Sequence, residues 1–232
     1  MVDRFELMSQ AAGFKAGLAF QQGWSGFSKN AGTLVGFTVL AAIVWGVIQA
    51  VQVALIRAST NTPDAMGGLA VLFIGLALLQ ALLGLIISVA LFEGGLQSAR
   101  GHSITIPDLF KKLTQIPNFI GVQVFGSLAI VLGLLTFVVP GIYLAVAYVF
   151  SGMAMVDQPQ SFVDALNTSR RLVTPHWFDV CLFLMVVGGV VLLGYLACLI
   201  GGFVSVPVGF CMVAAAYDQL LQLAGSTTSD QA

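Results

Sequence analysis

Charge is what this chain has least of. Only 8% of its 232 residues are charged, 9 basic and 10 acidic, where a soluble domain carries about 25%. So few charges cannot cover a water-soluble fold of this length, and the apolar surface must face lipid instead. The net charge of -1 leaves no electrostatic footprint for nucleic acid, so no nucleic-acid partner is expected. Cysteine is scarce too. Cys181, Cys198 and Cys211 all stand inside apolar runs and none forms a C-x-x-C pair, which excludes a disulfide framework or zinc site and reads as small apolar filler. The two histidines, His102 and His176, fall in different loops, which argues against an intramembrane metalloprotease. No P-loop, G-x-S-x-G or H-E-x-x-H occurs. Residues 1–30 carry Asp3, Arg4, Glu6, Lys15 and Lys29 with no compact apolar core, so no cleavable signal peptide is expected.

What the chain has is long apolar runs. A spanning helix needs about 20 apolar residues. Thr33–Ile56, Gly67–Phe92, Phe119–Val139 and Trp177–Ile200 meet that length; Val204–Leu223 is a further run, and Ile142–Val156 a shorter one between Pro140 and Asp157. The alternating polarity of barrel strands is absent. The sequence therefore predicts an all-α bundle of six spanning helices in a single membrane domain, with residues 224–232 as a flexible tail. Pro140-Gly141 is the expected break between the third and fourth spans. With the N-terminus inside, eight of the nine basic residues are cytoplasmic and only Arg57 is outside. That bias predicts cytoplasmic termini.

Three amphipathic stretches precede the first, third and fifth spans. Phe20, Trp24 and Phe27 share one helical face, as do Leu109, Phe110, Leu113 and Ile116. The third has Ser161 and Asp164 at capping-box spacing, followed by Phe162, Leu166 and Val173 on one side. Each stretch can lie in the headgroup layer as an interfacial helix or pack on the bundle. The order of elements, an amphipathic stretch and then a hairpin of spans, recurs three times, starting near residues 14, 106 and 161. Within the second span Ala70, Ala77, Ala81, Gly84 and Ser88 share a face, a predicted helix contact.

No Asp, Glu, Lys, Arg or His falls near the middle of any run, which argues against a proton-coupled transporter. Gln80 is the strongly polar residue near a span centre, and an interhelical hydrogen bond is its expected role. No catalytic, cofactor-binding or metal-binding residue is expected, and the chain reads as a non-enzyme. Polar residues crowd instead before the fifth span: Arg170, Arg171, His176, Trp177 and Asp179, with Tyr217 and Asp218 reaching the same depth on the sixth and Asp157 closing the fourth. The cluster is read as orientation signals and an aromatic anchor, or as a contact site for anionic headgroups or a partner protein.

The residues P-G-I-Y-L-A-V-A-Y-V-F from Pro140, Asp157, F-V-D-A-L-N-T-S-R-R-L-V-T-P-H-W-F from Phe162, I-G-G-F-V-S-V-P from Ile200 and A-A-A-Y-D ending at Asp218 resemble a broad family of bacterial six-span membrane proteins. That family includes the membrane domain that precedes the catalytic domain of some glycerophosphodiester phosphodiesterases. The resemblance covers about the last third of the chain and, more loosely, F-Q-Q-G-W-S-G-F-S-K-N-A-G-T-L from Phe20. It implies the six-helix fold and the bacterial cytoplasmic (inner) membrane, and no activity for this chain, which lacks the phosphodiesterase domain. Ser151-Gly152-Met153-Ala154-Met155 departs from the pattern, which leaves the end of the fourth span open. The expected function is a non-enzymatic module contacting membrane lipids or a membrane protein partner. The alternative is a transporter or channel for a small uncharged or amphipathic solute.

Overall fold

In lipid every backbone N–H and C=O must be satisfied within the protein, so uninterrupted apolar runs become helices. In a computed structural model, which describes residues 13–61, 66–197 and 199–229, they do. Cys198 lies outside the described residues. The helices are α1 (Ala16–Asn61), α2 (Met66–Ala99), α3 (Ile116–Thr136), α4 (Val138–Ala147), α5 (Ser151–Asp157), α6 (Phe162–Val173), α7 (Trp177–Ala197) and α8 (Leu199–Ser229). No strand occurs among the described residues. Among the described residues six segments are long and apolar enough to cross a membrane, as the sequence predicts. The last helix runs to Ser229, so helix occupies residues 224–229 of the stretch read as a tail; 230–232 lie outside the described residues.

The helices form three hairpins, α1–α2, α3 with α4–α5, and α7–α8, with α8 at the centre against α1, α2 and α7. The most apolar window of the last span is 61% buried and those of the first two are 0% buried, so α8 is the core helix and α1 and α2 face lipid. Burial is concentrated at one end. On α1 the buried residues stop at Phe37, and on α2 they begin at Val89. Beyond them Leu40, Ile43, Val47, Val71, Ile74 and Leu78 are exposed, a surface that only hydrocarbon can solvate.

The three amphipathic stretches take three forms. The first is the opening part of α1, continuous with the span; Phe27 is buried, while Phe20 and Trp24 are exposed. The second is a pair of 3₁₀ turns, Ile106–Phe110 and Leu113–Gln115, rather than an α-helix. Docking decides it. Leu109 is buried against Gly94, Phe110 meets the edge of Phe37 at 5.8 Å, and Lys111 pairs with Asp108 at 2.7 Å. The third is a true helix, α6, capped as its sequence predicts: the Ser161 hydroxyl accepts from the Asp164 N–H at 3.2 Å and donates to its carboxylate at 2.7 Å. Its apolar face packs on the bundle. Phe162 fills the space over Gly121 and stacks on Phe125 at 4.8 Å, and Ala165, Leu172 and Val173 are buried.

Two breaks fall elsewhere than the sequence suggests. The helix ends at Phe137, which is extended (φ -155°, ψ 141°), not at Pro140-Gly141. Pro140 stands in the first turn of α4, where its missing N–H costs nothing. Gly141 lies so close to Gly133 that a Cβ on Gly133 would sit 3.0 Å from the Gly141 Cα, so the pair lets the two helices cross tightly. The fourth span, expected as one run over Ile142–Val156, breaks at Tyr148–Phe150. Ser169 supplies the missing bonds there: its hydroxyl donates to the Ala147 carbonyl at 2.7 Å and accepts from the Phe150 N–H at 3.1 Å. The following segment, Ser151–Val156, is wholly buried.

The small-residue stripe of the second span is the helix contact only in part: Gly84 and Ser88 are half-buried, and Gly84 faces Trp45 of α1. Ala70, Ala77 and Ala81 are exposed. The half-buried residues are Phe73, Leu76, Gln80 and Leu83, then Gly84, Leu85, Ile86, Ile87 and Ser88, so over the outer part of the span the face is set by large side chains and by glutamines. Gln80 accepts from Gln52 at 3.1 Å and donates to Gln49 at 3.1 Å, the interhelical role expected of it. Interhelical side-chain bonds in membranes average about 0.6 kcal/mol and reach about 1.7. Replacing Gln80 by Leu is therefore expected to lower stability by about 1 kcal/mol, measured by thermal unfolding in detergent; a loss above about 3 kcal/mol would contradict this account.

Candidate functional site

The charged end of the bundle is built around Arg100. Helix α2 stops there by a glycine motif: Gly101 takes φ 80°, its N–H bonds the Ser98 carbonyl, and the His102 N–H bonds the Gln97 carbonyl, each at 3.0 Å. Asn30, buried on α1, clamps the turn by donating to the His102 carbonyl at 2.8 Å and accepting from the Ile104 N–H at 3.0 Å. Arg100 is thereby aimed across the bundle. Its Nη1 donates to Asp157 at 2.6 Å, and its Nη2 and Nε donate to Asp218 at 2.7 and 3.1 Å. Tyr217 donates to the second Asp157 oxygen at 3.4 Å. The hydrogen bond to Asp157, then that to Asp218, raises the Arg100 pKa above its ordinary value, so the guanidinium stays charged at any working pH.

This is a three-way latch. Arg100 ends the first hairpin, Asp157 ends α5 of the second, and Asp218 lies on α8 of the third. The side chains are 33%, 11% and 18% exposed, shielded enough to strengthen the attraction yet wet at the rim. Convergence of the ends of the second, fourth and sixth spans puts those ends on one face, as alternating crossings require. Beside the latch a cavity of about 420 Å³ opens between α1, α2 and α8, lined by Gln21, Gln22, Lys29, Arg100, Asp218 and Gln222 among others.

The sequence-predicted cluster divides. Asp218 joins the latch, with Asp157 and Tyr217. Arg170 and Arg171 do not approach Asp218; they occupy the last turn of α6, exposed, where a helix C-terminus favours cations. Asp179 is exposed in the first turn of α7. His176 and Trp177 are half-buried, and Trp177 stacks on Tyr143 while its indole N–H donates to the Tyr143 carbonyl at 3.3 Å. The separation has a simple cause. Arg170 and Arg171 belong to the polar face of a helix whose opposite face is packed on the bundle, so they point away from it. Arg100 was the residue missed, although a signal existed: Arg100, Asp157 and Asp218 each stand at or near the close of one hairpin unit, at equivalent places in the threefold order. Lys29 and the three glutamines carried no such signal.

No group of three or more metal-ligating side chains that could hold an ion occurs among the described residues. No protein-family model matches the chain, and no solved structure does. The chain is similar to an uncharacterized protein of Mycobacterium tuberculosis and to one of Mycobacterium bovis, each 28% identical over 221 residues. The match takes in 86% of this chain and 66% of each relative, so the chain spans just under two thirds of the length of these curated relatives. These comparisons carry no link to glycerophosphodiester phosphodiesterases. With the six apolar helices, they make the chain a multi-helix membrane protein distantly related to bacterial proteins of uncharacterized role.

Proposed function

We propose that this protein is a non-enzymatic module of the bacterial cytoplasmic membrane that contacts anionic lipids through its charged end, with both termini in the cytoplasm. One observation carries this reading. Arg170 and Arg171 are exposed at the end of an amphipathic helix whose apolar face is already occupied by the bundle, and they make no ion pair among the described residues. Cations left outward on a docked helix are free for a partner. Trp177, held by Tyr143 just beyond them, supplies the amphipathic ring that settles at headgroup depth. The latch acids are bonded to Arg100 and make no ion pair with these arginines.

The test is the double substitution Arg170→Gln and Arg171→Gln. A basic residue near an anionic leaflet contributes about 1 kcal/mol, so with both removed the affinity for anionic lipid should fall roughly thirtyfold, read as lipid retained per purified protein below saturation, with thermal stability unchanged. Unchanged retention would reduce the arginines to orientation signals and refute the reading.

A further inference from the structure

The cavity beside the latch has a polarised wall. Lys29 is exposed on α1 and makes no hydrogen bond or ion pair among the described residues. Across the cavity the one guanidinium of Arg100 serves two carboxylates, so the latch as a whole nets one negative charge; Arg100 and Asp218 line the cavity, and Asp157 lies outside the lining. The amides of Gln21, Gln22 and Gln222 complete the lining with groups that both donate and accept. A simple anion would satisfy Lys29 and be repelled by the latch; a simple cation would meet the reverse. Charge complementarity is met by a ligand carrying both.

We infer that this cavity binds a zwitterionic headgroup, a phosphate ester joined to a primary ammonium, with the phosphate on Lys29 and the ammonium on Asp218. The inference rests on the lipid-contact reading above. The membrane leaflet is the expected source, because Trp24, 52% exposed, is adjacent in sequence to Ser25, which lines the cavity, and an exposed tryptophan marks headgroup depth.

The experiment uses the purified full chain in detergent with equal parts phosphatidylethanolamine, phosphatidylcholine and phosphatidylglycerol, reading lipid adducts by native mass spectrometry. Phosphatidylcholine keeps the charges and lacks the N–H donors, and phosphatidylglycerol lacks the cation. In the Arg170→Gln, Arg171→Gln background, which removes the anionic-lipid contact, phosphatidylethanolamine should exceed both by roughly fivefold, and the excess should vanish on adding Lys29→Gln with unchanged thermal stability. Displacement by free O-phosphoethanolamine at comparable concentration would support the chemistry and assign a soluble source; no displacement would support the lipid. A phosphatidylglycerol preference that persists in the Arg170→Gln, Arg171→Gln background, or an ethanolamine preference that survives Lys29→Gln, overturns the inference while leaving the lipid-contact reading intact. Absence of any adduct overturns both.

Discussion

Replacing Gly26 by alanine is expected to produce the largest loss of stability of any single methyl group added to α1. A Cβ at this position would sit 2.3 Å from the Ser98 carbonyl oxygen and 2.7 Å from its carbon. These are backbone atoms of the last turn of α2, so no rotamer change relieves the clash and the helices must separate. Overpacking a close contact costs about 1–3 kcal/mol, occasionally more, and this one stands at the upper end, about 3 kcal/mol. The displacement would also carry Arg100 away from its acids, two residues beyond Ser98. Gly32 on the same helix is the control. Nothing lies within 4 Å of its added Cβ, so Gly32→Ala should be neutral or stabilising by up to about 1 kcal/mol through helix propensity. Thermal unfolding of both variants in the same detergent checks the pair; equal melting temperatures would refute the close-approach argument.

Replacing Arg100 by glutamine is expected to cost about 2 kcal/mol. Surface pairs contribute about 0–1 kcal/mol, while breaking a buried pair costs about 3–5. With Asp157 only 11% and Asp218 18% exposed, the latch falls between. The loss is not only two ion pairs, because glutamine leaves the two carboxylates without their shared cation. A further Asp157→Asn change should therefore restore part of the stability, a non-additivity that a double-mutant cycle reads directly. For a chain of this length about 2 kcal/mol corresponds to roughly 4–8 °C. A shift within about 1 °C, or strict additivity, would leave the latch without energetic weight.

The helical, lipid-facing character of the molecule was legible in the sequence because it follows from composition and run length. Nineteen charges, 9 basic and 10 acidic, among 232 residues admit no other solvent, and runs of more than 18 apolar residues admit no other secondary structure. The cap at Ser161 and the bond made by Gln80 were legible for a local reason. Each depends on a spacing of three residues or on the lack of any other polar group in a span.

The contact face of α2 was misread over Ala70, Ala77 and Ala81, while Gly84 and Ser88 do stand on it. Small size predicts a contact only where a second backbone is near, and Ala77 and Ala81 are exposed. The break at Phe137 rather than Pro140 was hidden because proline is as acceptable in the first turn of a new helix as at the end of an old one.

The site divides along the same line. That arginines and acids gather at one end is a sequence property, fixed by the cost of charge inside hydrocarbon. Which arginine meets which acid is not. Arg170 and Arg171 are nearer in sequence to Asp179 and to Asp218 than Arg100 is, yet packing of Phe162, Leu172 and Val173 turns them outward. Arg100 reaches Asp157 and Asp218 across 57 and 118 residues because Gly101 ends α2 there and Asn30 holds the turn. By itself the sequence determined the solvent, the number of helices long enough to span and the end where charge collects, since these depend on local composition. Only the tertiary structure decided the partners, because long-range pairing depends on how helices rotate and approach when backbones pack at glycine, and no local spacing encodes that.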